Sequence, residues 1–226
     1  MNVLVIAAHP DDEVLGCGGT IARLAAGGDA VSILILAEGL TSRVGFDPVR
    51  DAGALKVHQE RAWRAGALLG AKEVRLTGFP DNRMDTVPLL DVTQAIEREI
   101  ARVRPEIVFT QHGGDLNVDH VVTFRATLTA TRPMSNCPVR RVYAYEVGSS
   151  TEWAFQQFEP RFQAQAFFDI TSQLETKIAA MEIYESEARL FPHPRSPEAL
   201  RANARRWGAT VGVQAAEAFC CIRELC

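Results

Sequence analysis

Five cysteines, Cys17, Cys137, Cys220, Cys221 and Cys226, are an odd number with no disulfide-framework or zinc-ribbon spacing. That excludes a cysteine-stapled scaffold and fits reduced thiols in a cytoplasmic protein, with Cys17 a small core residue on the first helix. Basic residues are not in excess. The 24 Lys and Arg against 28 Asp and Glu give a net charge of −4, so nucleic acid, which calls for a basic face, is not an expected partner. Arg195, Arg201, Arg205 and Arg206 read as a solvated helix face, or else as a site for an anionic sugar phosphate. No apolar run approaches the roughly 20 residues of a membrane span. The N-terminus lacks a charged start and a small-residue cleavage site, so no signal peptide is expected. Repeats, low-complexity segments and interdomain linkers are absent as well. What remains is 226 residues, 47% hydrophobic and 23% charged, expected to form one domain over 1–226 with a sizeable core.

The informative stretch is Val3-Leu4-Val5-Ile6-Ala7-Ala8-His9-Pro10-Asp11-Asp12-Glu13. An apolar run of strand length ends in an imidazole and three carboxylates, and Pro10 stops the strand because it has no N–H. Glycines follow before a helical pattern resumes at Ile21 and Leu24. In an open α/β sheet, ligands bind at the carboxyl ends of strands. His9 and Asp12, three apart where strand turns into helix, can face one point; Asp11 points elsewhere and is free for proton transfer. Nitrogen plus hard oxygen suits Zn²⁺, and less selectively Fe²⁺, Co²⁺ or Mn²⁺. The competing reading is a surface turn in which Asp11 and Asp12 cap the helix.

A second cluster, Thr110-Gln111-His112-Gly113-Gly114-Asp115-Leu116-Asn117-Val118-Asp119-His120, follows the apolar run Ile107-Val108-Phe109. His120 can complete a triad with His9 and Asp12 and leave a position open, as catalytic zinc sites do. A histidine at a helix N-terminus is the alternative for His120 alone, but two clusters at equivalent strand ends favour metal.

Elsewhere the pattern alternates strand and helix. Strands are expected at 2–8, 31–36, 74–76, 106–110, 140–145 and, as an edge, 166–170. Helices are expected at 14–27, 53–69, 89–103, 118–131, 171–187 (capped by Thr171) and from about Ser196, with Ala215 to Phe219 closing the fold. The class is α/β: a Rossmann-like, mostly parallel sheet with helices on both faces. The loop 37–53 reads as a lid or binding loop, or else as locally disordered, with Arg43 and Arg50 its candidate contacts or simply solvated arginines. Glu38 is a further polar group at a strand end. His193 lies in a proline-broken loop, where it could approach the active site or, as lone loop histidines more often are, be simply exposed.

Ala8 to Glu13, together with Asp119-His120, resembles the LmbE/PIG-L family of zinc-dependent de-N-acetylases, over most of the chain from Met1 to about Phe219. The resemblance implies removal of acetyl from an N-acetylated amino sugar or sugar conjugate, and a homo-oligomer. It makes His9, Asp12 and His120 the metal ligands and Asp11 the general base. Many members carry a histidine three residues before the metal histidine to stabilise the oxyanion; here Asn117 stands there, so either Asn117 or His112 has that role. Asp119 is expected to orient a histidine from behind. An arginine on the second helix, Arg61 or Arg64, is implied as a substrate contact, unless both face solvent. Asp81 is implied as a contact to sugar hydroxyls, although Pro80-Asp81-Asn82 is also a strong turn signal. Trp153 suits stacking on a pyranose, or else covers the core. The alternatives are a metal-dependent phosphoesterase, which wants a second metal, and a sugar- or nucleotide-binding module without catalysis.

Overall fold

The computed structural model describes residues 1–42, 45–47 and 49–226. Five strands, β1 (Asn2–Ala7), β2 (Ala30–Ala37), β3 (Glu73–Phe79), β4 (Ile107–Gln111) and β5 (Arg141–Tyr145), run parallel. Two more, β6 (Ala166–Asp169) and β7 (Ala216–Glu224), extend the sheet antiparallel, giving the order β3-β2-β1-β4-β5-β7-β6. The last strand therefore reaches well past Phe219 and lies inside the sheet, while β6 is the edge expected at 166–170.

The uninterrupted apolar runs follow from burial on both faces, as in parallel sheets generally. Val3, Val5 and Ala7 of β1 pack under α1 (Asp12–Ala26), α2 (Ala52–Leu68), α5 (Leu174–Ile183) and α6 (Pro197–Val211). Leu4 and Ile6 face α3 (Leu89–Val103) and α4 (Val118–Ala130). This is the mostly parallel, doubly covered α/β sheet read from the sequence. Because β1 pairs with β2 on one side and β4 on the other, the helices leaving β1 and β4 diverge to opposite faces. The crevice between their carboxyl ends is where such sheets bind ligands.

The first helix is not continuous. Cys17 has the non-helical φ of −144°, and the groups left free by the break are paired from outside. Lys177 Nζ donates to the Leu15 carbonyl at 2.8 Å, while the N–H groups of Gly19 and Thr20 donate to Glu217 at 3.0 and 2.7 Å. Lys177 and Glu217 are themselves 2.6 Å apart and buried. Just before the break, Gly16 packs so closely on the Tyr145 ring that a Cβ would lie 2.1 Å from Cδ2. Cys17 itself is buried, as expected of a core residue, and burial pushes its thiol pKa well up.

Three local expectations are corrected. Thr171 does not cap α5; the helix begins at Leu174 behind Gln173, and the Thr171 hydroxyl instead donates to Asp169 at 2.6 Å. That helix ends at Ile183, not at 187, because Tyr184 turns inward to donate to Glu13 at 2.6 Å. Arg195 precedes α6 and is no part of a solvated helix face; Arg201, which is on it, pairs with Glu175 at 2.5 Å. No helix among the described residues is long and apolar enough to cross a membrane.

Candidate metal centre and active site

The loop after β1 brings His9, Asp11 and Asp12 to the crevice, all of them buried. Asp12 holds the centre of the cluster. Its Oδ2 accepts the His9 N–H at 2.8 Å and lies 3.2 Å from His9 Nδ1 and 3.3 Å from His120 Nε2. One ligand atom from each of His9, Asp12 and His120 lies within 4.8 Å of the others. Burial alone would raise the Asp12 pKa, but His120 and His9 beside it hold it well below the usual carboxylate range. Gln111, from the end of β4, donates to the same Oδ2 at 2.7 Å and fixes the carboxylate from below.

Each histidine is backed by a further carboxylate on its other nitrogen. The Asp119 carboxylate lies 2.9 Å from His9 Nε2 through Oδ2, which also accepts the Asn82 N–H at 2.7 Å, while its Oδ1 accepts the Met84 N–H at 2.9 Å. Asp115 Oδ1 is 3.1 Å from His120 Nδ1, and its carboxylate takes hydrogen bonds from Ser150 and Thr151. Carboxylates behind metal-ligating imidazoles fix the ring and its tautomer, so the donor set fits a divalent ion. His9, Asp81 and Asp119 form a second close set. It uses the opposite nitrogen of the same His9 ring, which is the place for a supporting carboxylate. Burial lowers the pKa of both histidines, but their carboxylate neighbours outweigh it: His9 ends well above its ordinary value and His120 at about 9.

Asp11 stands where a cap would, at the N-cap of α1, but makes no cap hydrogen bond and has φ 112°. The helix-capping reading of the motif thereby fails. Its carboxylate meets Arg195 Nη1 at 2.7 Å instead. Burial pushes the Asp11 pKa up, against the pull of Arg195 and with help from Asp12, to about 8.

A cavity of about 190 Å³ opens over the cluster, with His9, Asp11, Asp81, Asn117, His120 and Arg195 among its walls. Asp81 belongs to the site, 3.3 Å from His9 Nε2 and bonded by Ser42 and Asn82. Asn117 is there too, but as the N-cap of α4: its Oδ1 accepts the Asp119 N–H at 2.9 Å and its Nδ2 donates to Asn82 at 2.9 Å. His112 is directed away. Its Nε2 bonds the Pro160 carbonyl at 2.7 Å and its ring lies edge-on to Phe162.

The remaining substrate candidates are not in the cavity wall among the described residues. Arg61 pairs with Glu185 at 2.9 Å, Arg64 is exposed on α2, and Trp153 stands half-exposed, edge-on to His193. Of the loop arginines, Arg50 is exposed and pairs with its neighbour Asp51 at 2.7 Å, and Arg43 lies outside the described residues. Glu38 is buried, and its Oε1 accepts the Thr41 N–H at 3.2 Å. The residues missed from sequence are Gln111 and Asp115, which lay in the second polar cluster, where strand-end position was their signal. Arg195 stood out only within the arginine group of 195–206, as a solvated face or an anion site, with nothing local to tie it to Asp11.

Comparison with known proteins bears on this geometry. The family model PIG-L, GlcNAc-PI de-N-acetylase, matches residues 4–131. The uncharacterized deacetylase YaiS of Escherichia coli (strain K12) is 30% identical over 191 residues, spanning 82% of this chain and 91% of its own. The 1D-myo-inositol 2-acetamido-2-deoxy-alpha-D-glucopyranoside deacetylase of Nakamurella multipartita is 31% identical over 172 residues, 63% of this chain and 58% of that enzyme. In structure, GalB, the 4-carboxy-2-hydroxymuconate hydratase of Pseudomonas putida KT2440, superposes with a TM-score of 0.77 at 22% identity, covering 100% of this chain and 98% of that one. That likeness is one of fold, and a fold does not carry its reaction with it. The family match is of another kind, since it spans more than half of the sequence, from β1 through α4, and includes every residue of the His/Asp/His set. On that ground the chain belongs to the PIG-L, GlcNAc-PI de-N-acetylase, family.

Proposed function

We propose that this chain is a metal-dependent hydrolase that removes the acetyl group from an N-acetylated amino sugar or sugar conjugate. The observation that carries the reading is the convergence of His9, Asp12 and His120 within 4.8 Å beside a cavity that Asp11 also lines, with Asp11 unused as a helix cap. Those three residues would hold zinc, or another divalent ion such as Fe²⁺ or Co²⁺, which when bound would supply a Lewis acid for the amide carbonyl and lower the pKa of water. Asp11 takes the proton of the attacking water and returns it to the leaving amine, as a general base turned acid. Asn117 uses one Nδ2 hydrogen on Asn82; the other is available to the developing oxyanion, a role that His112, turned towards Pro160, does not share. Asp81 contacts sugar hydroxyls. Asp119 and Asp115 keep the two imidazoles in register. By family resemblance the assembly is a homo-oligomer.

The test is acetate release from a panel of N-acetylhexosamines, free and conjugated, with wild type, Asp11→Asn and chelated protein. Release that needs both Asp11 and metal supports the reading. Metal-loaded protein that leaves every acetamido sugar intact, or an Asp11→Asn variant of normal rate, overturns it.

A further inference from the structure

The proposed reaction requires the Asp11 carboxylate to face the cavity, and the local backbone does not provide for that. At φ 112° the residue occupies a region that side chains rarely adopt, and no cap bond ties the carboxylate to α1. Its hold comes from a residue 184 positions away, outside the 4–131 of the family match: Arg195 Nη1, 2.7 Å from Asp11 Oδ2. Arg195 is fixed in turn. Its Nε donates to Ser149 Oγ at 2.8 Å, Nη1 also lies 3.3 Å from Glu187, and its backbone N–H donates to His193 Nδ1 at 3.1 Å.

The setting adds to these contacts. Ser149 and Arg195 line the catalytic cavity, whereas the residues just before them, Gly148 and Pro194, line a separate cavity of about 320 Å³. Two chain segments, 148–149 and 194–195, thus form a wall between the cavities, and the guanidinium is anchored in it. A planar fork can hold a hydroxyl and a carboxylate at once, which an ammonium point charge at the end of a flexible stem does less well.

We propose that Arg195 is the positioning residue for Asp11: by holding Oδ2 it leaves Oδ1 as the oxygen that receives the water proton. This rests on the reading of Asp11 as the base. Among the described residues no hydrogen bond is made to Oδ1.

Kinetics of Arg195→Ala, Arg195→Lys and Ser149→Ala on an N-acetylated sugar cleaved by wild type test it. Misplacing a base by about 1 Å costs about 100-fold, so Arg195→Ala should lose that much kcat while KM and bound metal per chain stay near wild type. Arg195→Lys should fall between, Ser149→Ala should show a smaller loss of the same kind, and added guanidinium should restore part of the Arg195→Ala rate. A raised KM with kcat kept would assign Arg195 to substrate binding and overturn the proposal. Crystal structures of wild type and Arg195→Lys need no substrate. Asp11 turned from its wild-type position in the variant supports the role, and an unmoved Asp11 overturns it. Wild type inert towards all acetamido sugars would count against deacetylation alone, and the crystallographic comparison would still decide the role of Arg195.

Discussion

Two groups of buried charge sit along the first helix, one at its N-terminus and one at its break. At the break the account is closed: one ammonium, one carboxylate, and three backbone groups that would otherwise lack partners. At the N-terminus it is not. Asp11, Asp12, Asp81, Asp115 and Asp119 crowd the site of two imidazoles, and among the described residues the one permanent cation bonded to any of them is Arg195. A buried pair that satisfies itself serves the fold. A cluster with more carboxylates than cations, placed at the switch point of the sheet beside a cavity, has the charge a divalent ion needs.

The comparison breaks most visibly in activity. Removing Asp11 as Asp11→Asn should lower acetate release by about 10²–10⁴-fold while metal content and melting temperature stay close to wild type. An equal loss of metal would mean that Asp11 is a ligand instead. Next in size is the pair at the break. Glu217→Ala leaves Lys177 buried and unpaired and should cost about 3–5 kcal/mol in urea unfolding, whereas Lys177→Met combined with Glu217→Leu should cost much less. A Glu217→Ala protein as stable as wild type would show that the pair does not hold the helix break together. Metal counting sharpens the other side. The carboxylates behind His9 and His120 leave room for one ion, so elemental analysis should give one per chain, and two would favour the phosphoesterase alternative.

How much of this was legible depended on whether the partners lay close in sequence. The His-Pro-Asp-Asp turn could be read because an apolar strand and its stop were both local, and β4 with its polar loop repeated the pattern. Asn117 stood out by its position before His120, and its side chain carries a second task that the position alone did not reveal. It is an N-cap with a Ser/Thr/Asp/Asn-type signature before an apolar run, which helix-start rules alone would have found. Arg195, Lys177 and Glu217 were not legible, because each is defined by a contact made across 40 to 184 residues. Read locally, Lys177 and Glu217 pass for ordinary charges on a helix and a strand, and Arg195 for one arginine among several. The break in α1 was half legible: the glycines before Ile21 stood out, but Gly16-Cys17-Gly18-Gly19 carries no residue that forbids a helix outright, and 14–27 read as one helix.

The smallest expected effect concerns pH, and the two charge groups should respond differently. In metal-free protein His120 titrates at about 9 against its usual 6.5, because Asp12 and Asp115 more than offset burial. A histidine raised on folding stabilises fully below 6.5, and that contribution is lost as pH climbs towards 9. Glu13, pushed by burial from 4.5 to about 7, acts in the same direction, since the fold prefers its protonated form and loses stability as pH rises across that interval. The melting temperature of the metal-free protein should therefore decline from about pH 5 to pH 9. Ligands must give up protons to bind metal, so loading removes the imidazole part of that decline and becomes tighter as pH rises. Scanning calorimetry with and without Zn²⁺ across this range checks both statements. A metal-free protein that gains stability from pH 6 to 9 would mean that the carboxylates are not holding protons on His120, and the excess of negative charge at the centre would then have to be balanced in another way.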